Sequence, residues 1–138
     1  MGVKKIRKQA IILIVALIAI ALIVGIVFWI NSSGTSTSPK VTAADPSNNS
    51  VNISVNKTIK ITFNESIKSG SMFIELKNSN GTLFHINKSI NGNILTINHS
   101  TPLSKGAKYT LILHTGSVTD SAGNKLAMWS SSFTTNTV

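Results

Sequence analysis

Three histidines and four acids carry whatever acid–base or metal chemistry this chain has: His85, His99 and His114, with Asp45, Glu65, Glu75 and Asp120. The histidines fall on different predicted strands or their ends. None has an H-x-x-x-H partner, a neighbouring carboxylate pair or a cysteine, the spacings that build zinc sites. A copper site assembled from His and Met is the metal alternative. Glu65 and Glu75 could serve as a glycosidase pair, but no aromatic cleft signal surrounds them, and they read as solvent-facing charges. Asp120 and Asn124 offer hard oxygen ligands, yet calcium takes about six to eight oxygens, and the whole chain has four carboxylate side chains. Gly-x-Ser-x-Gly is absent, and no glycine-rich loop precedes a helix to hold phosphate. With no cysteine, thiol catalysis, haem attachment and cysteine–zinc sites are excluded. The expectation is a protein that is not an enzyme and carries no cofactor or metal.

One chemical signal exceeds the composition. The acceptor pattern Asn-x-Ser/Thr occurs at Asn31, Asn48, Asn52, Asn56, Asn64, Asn80, Asn87 and Asn98, eight of the fourteen asparagines. At this Ser/Thr frequency roughly three or four would arise by chance. Used acceptors require placement outside the cytoplasm; an Asn- and Ser-rich chain with unused sequons is the competing reading.

What positions these residues is governed by Ala10 to Ile30, AIILIVALIAIALIVGIVFWI, twenty-one residues without a charge. As a helix this run spans roughly 30 Å, the hydrocarbon thickness of a bilayer. It reads as a transmembrane helix, in which every backbone hydrogen bond is satisfied internally. Lys4, Lys5, Arg7 and Lys8 precede it, and the next charge is Lys40, so the positive-inside bias places residues 1–9 in the cytoplasm and everything after the span outside. A cleaved secretory signal is the alternative. Its apolar core would be about 7–15 residues and end at a small-x-small site, whereas this one is longer and runs into Phe28-Trp29-Ile30-Asn31.

Residues 31–39, NSSGTSTSP, have no apolar periodicity and read as a flexible spacer. Residues 40–138 make one domain of ordinary size. Four of the thirteen positive charges precede the span, leaving nine lysines against four acids, a net of +5 beyond it. Those lysines are scattered and not interleaved with aromatics, so nucleic-acid binding is not expected. They suit the guarding of strand edges, with weak attraction to anionic envelope polymers as the functional alternative.

Short alternating segments fill the domain. Lys40 to Ala44 reads as an edge strand stopped by Asp45-Pro46. Val51 to Val55 and Thr58 to Phe63 alternate next, the latter with Ile59, Ile61 and Phe63 on one face. Asn64 to Ser71 is a connection with room for one helical turn. Met72, Ile74 and Leu76 point inward, and Phe73, Glu75 and Lys77 outward. Asn78-Ser79-Asn80-Gly81 and Asn91-Gly92 are hairpin signals, joining a return over Thr82 to Ile86 and a pair over Asn87–Ile90 and Asn93–Asn98. Tyr109, Leu111 and Leu113, then Trp129, Ser131 and Phe133, complete the inward set. About seven or eight strands with regular turns and no helical periodicity beyond the span mean a β-sandwich.

Several residues stand in a recognisable order: Asp45-Pro46; Ile59-Lys60-Ile61-Thr62-Phe63-Asn64-Glu65; Leu95-Thr96-Ile97; Leu103-x-x-Gly106-x-x-Tyr109-Thr110; Asp120-x-Ala122-Gly123-Asn124; and Phe133-Thr134-Thr135. From about Lys40 to Thr135 the chain resembles the bacterial-type immunoglobulin-like domains of surface-layer and adhesin proteins. The resemblance implies an all-β, immunoglobulin-like sandwich acting as spacer, stalk or binding module on a prokaryotic cell surface. Periplasmic copper-resistance carriers have a similar sandwich, but rely on an N-terminal His and a late Asp-Gly-His, where this chain has an apolar run and Asn124. Gly106 and Gly123 read as turn glycines and Tyr109 as a tyrosine corner, all structural. The expected function is a single-pass, surface-displayed module with a structural or adhesive role in the envelope. The alternative is an accessory subunit recognising a glycan or protein partner.

Overall fold

The computed structural model describes residues 37–138. The expected tail (1–9), membrane span (10–30) and most of the spacer lie outside the described residues. Folded order already includes Pro39, which is fully buried. The next residue is clamped: Lys40 N donates to Asn64 Oδ1 at 2.7 Å, and Asn64 N donates to Lys40 O at 3.0 Å.

Eleven strands form among the described residues: β1 (Val41–Asp45), β2 (Ser50–Ile53), β3 (Ile59–Phe63), β4 (Lys68–Ser69), β5 (Ile74–Asn78), β6 (Leu83–Phe84), β7 (Ile86–Asn91), β8 (Ile94–His99), β9 (Lys108–Leu113), β10 (Val118–Thr119) and β11 (Trp129–Thr135). The sequence predicts seven or eight, and the two-residue strands β4 and β10 are too short for a period-2 pattern to register. One sheet runs β1-β3-β8-β7 and a second runs β2-β11-β9-β5-β6, with β4 and β10 a small separate ladder.

Alternation decides the packing. Ile59, Ile61 and Phe63 from β3 and Leu95 and Ile97 from β8 meet Leu76, Tyr109, Leu111, Leu113 and Phe133 from the second sheet in one buried cluster. Each such side chain, taken from water, contributes roughly 1.5–3 kcal/mol. The charges and amides of the same strands face outward, as in Lys60 of β3 and Asn98 of β8.

Three features depart from the sequence reading. Val51 is exposed, because β2 pairs parallel with β11 through an irregular register, Phe133 with Ser50 but Thr135 with Ile53. Asn52 lies at φ 60° within that irregularity, and it turns Val51 out while Ile53 and Val55 still reach the core. The predicted return over Thr82 to Ile86 is split at His85: β6 pairs with β5 in one sheet and β7 with β8 in the other. And no helical turn fills Asn64 to Ser71, whose Lys68 and Ser69 pair with Thr119 and Val118 instead.

The inward row of edge strand β7 contains a charge. Lys88 is half-buried between Ile86 and Ile90, and its Nζ donates to Met72 O at 2.9 Å across the gap between sheets. Inward-pointing lysine on an edge discourages further strand addition.

Candidate functional site

The most developed cluster of polar side chains lies where β5 begins and β9 ends. Antiparallel pairing sets Ile74 opposite Leu113 and Glu75 opposite Ile112, and one step beyond, His114 N donates to Phe73 O at 3.1 Å. Residues of like parity share a face, so Phe73, Glu75 and His114 emerge together on the outer side of the sheet. The His114 Nε2 and Glu75 Oε2 atoms are 2.8 Å apart, and the Phe73 ring lies flat on the imidazole at 3.9 Å with 8° between planes. Glu75 is therefore a half-buried, paired group and not the solvent-facing charge the sequence suggests. A carboxylate that orients an imidazole has the form of a catalytic base with its support. Phe73, half-exposed, caps one face of the imidazole.

The other histidines are elsewhere. His99 Nδ1 is 2.6 Å from Thr101 O and Nε2 is 3.2 Å from Lys57 O, so both ring nitrogens face backbone carbonyl oxygens. His85 is exposed at the switch between β6 and β7. The structure thus does not bring His85, His99 and His114 together, and among the described residues no three His, Cys, Asp or Glu side chains form a group that could hold a metal ion. Glu65 sits half-buried on the connection after β3, while Glu75 is engaged with His114.

Asp120 is 2% exposed and holds its own turn. Its Oδ1 accepts from Ala122 N and Asn124 N, both at 2.8 Å, and its Oδ2 from Asn124 Nδ2 at 2.6 Å. Gly123 completes the turn at φ 89°. These donors occupy the carboxylate that a cation would need. Asp120→Ala is expected to remove the charged acceptor shared by two backbone amides and to cost about 2 kcal/mol, read as a lowered midpoint in urea unfolding. An unchanged midpoint would show the turn to be held by its other contacts.

Tyr109 opens β9 with its ring fully buried, edge-on to Phe84 at 5.1 Å and 5.8 Å from Phe133. Its hydroxyl accepts from Ser104 N at 2.9 Å, bracing the turn in which Gly106 takes φ 62°. Beside that turn is a shallow cleft of about 360 Å³, lined by Asn78, Ser79 and Asn80 on one wall and Gly106, Ala107, Lys108 and Thr134 on the other. Polar side chains and apolar surface both line it.

Asn31 lies outside the described residues. The other seven sequon asparagines, Asn48, Asn52, Asn56, Asn64, Asn80, Asn87 and Asn98, are all exposed. Three have their amide oxygens engaged: Asn48 by Ser132 N at 3.0 Å, Asn64 by Lys40 N, and Asn98 by Thr58 Oγ1 at 2.8 Å.

Sequence reasoning missed the Phe73–Glu75–His114 cluster and the cleft. The signal for the first was present, since all three are the outward residues of their strands, but joining them needs the β5–β9 register. Phe73, Phe84 and Trp129 do not form one exposed cluster: Phe73 is 52% exposed, whereas Phe84 and Trp129 pack against the core.

A family profile described as "Bacterial Ig-like domain" matches residues 35–135. Among solved structures, CopC from Methylosinus trichosporium OB3b is 19% identical at a TM-score of 0.57, covering 72% of this chain and 94% of that one. The N-terminal part of the bacterial S-layer protein SbsC is 19% identical at 0.55, covering 72% of this chain and 24% of that one. Domains 1–6 of surface layer protein SbsC are 20% identical at 0.54, with 74% and 14% covered. At these identities the likeness is one of fold. No curated protein sequence matches the chain.

Proposed function

This chain belongs to the bacterial Ig-like domain family, and on that premise we propose that it is a membrane-tethered module displaying one sandwich outside the cell, with a structural or adhesive role in the envelope. The observation that carries the proposal is the uncharged run Ala10 to Ile30, basic on its N-terminal side and separated from buried Pro39 by only eight residues. Such a run suffices to span a bilayer, and its flanking charge directs the domain outward. The likeness in fold to surface-layer protein domains supports the envelope role.

The internal chemistry supports a structural part over a catalytic one. Asp120 holds its turn, His99 faces two carbonyls, His114 holds Glu75, and Lys57 pairs with Asp45 at 2.8 Å. Each of these groups is engaged within the fold. The shallow cleft beside Lys108, lined by Asn78, Ser79, Asn80 and Thr134, favours a second reading, an accessory subunit that recognises a glycan or protein partner at that end of the sheet.

Display is tested by adding protease to intact cells. The expected result is loss of residues 37–138 from the outside while an N-terminal stub stays in carbonate-washed membranes. A spared domain, or a mature chain that begins beyond Ile30 and is shed into the medium, overturns the proposal.

A further inference from the structure

The seven exposed sequon asparagines fall into two sets. Asn48, Asn64 and Asn98 use Oδ1 to hold the fold: Asn48 ties the β1–β2 loop to β11, Asn64 closes the end of β3 on Lys40, and Asn98 ties β8 to the residue that leads into β3. Among the described residues, the side-chain amides of Asn52, Asn56, Asn80 and Asn87 make no hydrogen bond. The free set is not placed at random. The open edges of the two large sheets are β1 and β7, and β2 and β6. Asn52 lies on β2 and Asn56 in the turn that follows it. Asn80 is at the tip of the turn joining β5 to β6, and Asn87 is on the outward row of β7. Only β1 lacks a free acceptor, and its ladder is already interrupted by a register shift between Val41 and Ala43.

We infer that Asn52, Asn56, Asn80 and Asn87 are N-glycosylated, and that their glycans shield the sheet edges from pairing with other chains. The inference rests on the outward display proposed above. In the transfer, the Asn Nδ2 forms a bond to the anomeric carbon of a glycan carried on a polyprenyl phosphate. The carbon–oxygen bond to that phosphate breaks, the lipid phosphate departs with the electron pair, and Nδ2 gives up a proton. A transferase must draw the carboxamide into its own site with the hydroxyl two residues on, which an unbonded side chain permits and a pinned one resists. The pair Asn87 and Asn98 shows the selection clearly. They are directly opposed across β7 and β8, too close for two glycans, and only Asn87 is free. Asn48 is disfavoured twice, since the hydroxyl of its partner Ser50 is buried. A bulky hydrophilic chain on an edge strand blocks the approach of a second sheet.

The test is intact-mass and glycopeptide analysis of the full chain purified from membranes of the cells that produce it. Glycan mass is expected on Asn52, Asn56, Asn80 and Asn87, with Asn48, Asn64 and Asn98 bare. A chain at its unmodified mass, or glycans confined to the bonded three, overturns the assignment. Protease on intact cells separates the two ideas: a bare domain that is still cleaved removes only this inference, whereas a spared domain removes the display as well. The shielding role is read from a variant combining N52D, N56Q, N80Q and N87Q, in which Asp suits the left-handed backbone at position 52. With the circular-dichroism spectrum unchanged, the detergent-solubilised variant is expected to shift to dimers and larger species in size-exclusion chromatography. An elution profile matching that of the glycosylated parent overturns the shielding role.

Discussion

Tyr109→Ala is expected to destabilise the domain by about 3–5 kcal/mol, the range for removing a large aromatic side chain from a closed core. The ring is fully buried between Phe84 and Phe133, and its loss opens the junction between β9, β11 and the cleft-side turn. Tyr109→Phe separates the two contributions of this residue. It keeps the ring and removes only the acceptor for Ser104 N, for an expected loss of about 1 kcal/mol. Urea unfolding of both variants, followed by far-ultraviolet circular dichroism, gives the two midpoints. If the phenylalanine variant falls as far as the alanine variant, the hydrogen bond and not the packing holds this corner.

Gly70→Ala is expected to cost about 3 kcal/mol, at the upper end for inserting a methyl where no room exists. Gly70 is an exposed residue, and from exposure alone the change would look harmless. Yet a Cβ built there would stand 2.2 Å from Gly116 O and 3.1 Å from Ser117 O. Both are backbone atoms held in place by three bonds, from Gly70 N to Ser117 O, Ser71 N to Gly116 O and Met72 N to Ser117 O. Relief requires the β4 segment to lift from β10, which breaks that set. Gly123→Ala is the control: nothing lies near its Cβ, and only the left-handed backbone is strained, at about 1 kcal/mol. Equal losses in the two variants would mean that the close approach at Gly70 relaxes freely.

Whatever rests on alternation could be read directly from the residues. The inward rows of β3, β8 and β9 follow from a period of two and the avoidance of water by Ile, Leu, Phe and Tyr. The turn at Asp120 and the corner at Tyr109 could likewise be read from local residue types. Pairing between distant segments was not legible. The switch of sheets at His85, the two-residue ladder of Lys68 and Ser69 with Val118 and Thr119, and the outward turn of Val51 at Asn52 all depend on partners far along the chain. The same limit hid the Phe73–Glu75–His114 cluster. Glu75 and His114, joined by a hydrogen bond, are thirty-nine residues apart, and no local pattern links them.

The place of β11 has a temporal consequence. It is the last strand in sequence, but it lies inside its sheet, flanked by β2 from the opposite end of the domain and by β9. As the ribosome delivers the polypeptide, β2 waits without a neighbour until Trp129 to Thr135 have been made. High contact order of this kind places folding on the slower, roughly millisecond-to-second scale. The second sheet of the domain therefore closes only after its last strand has been made.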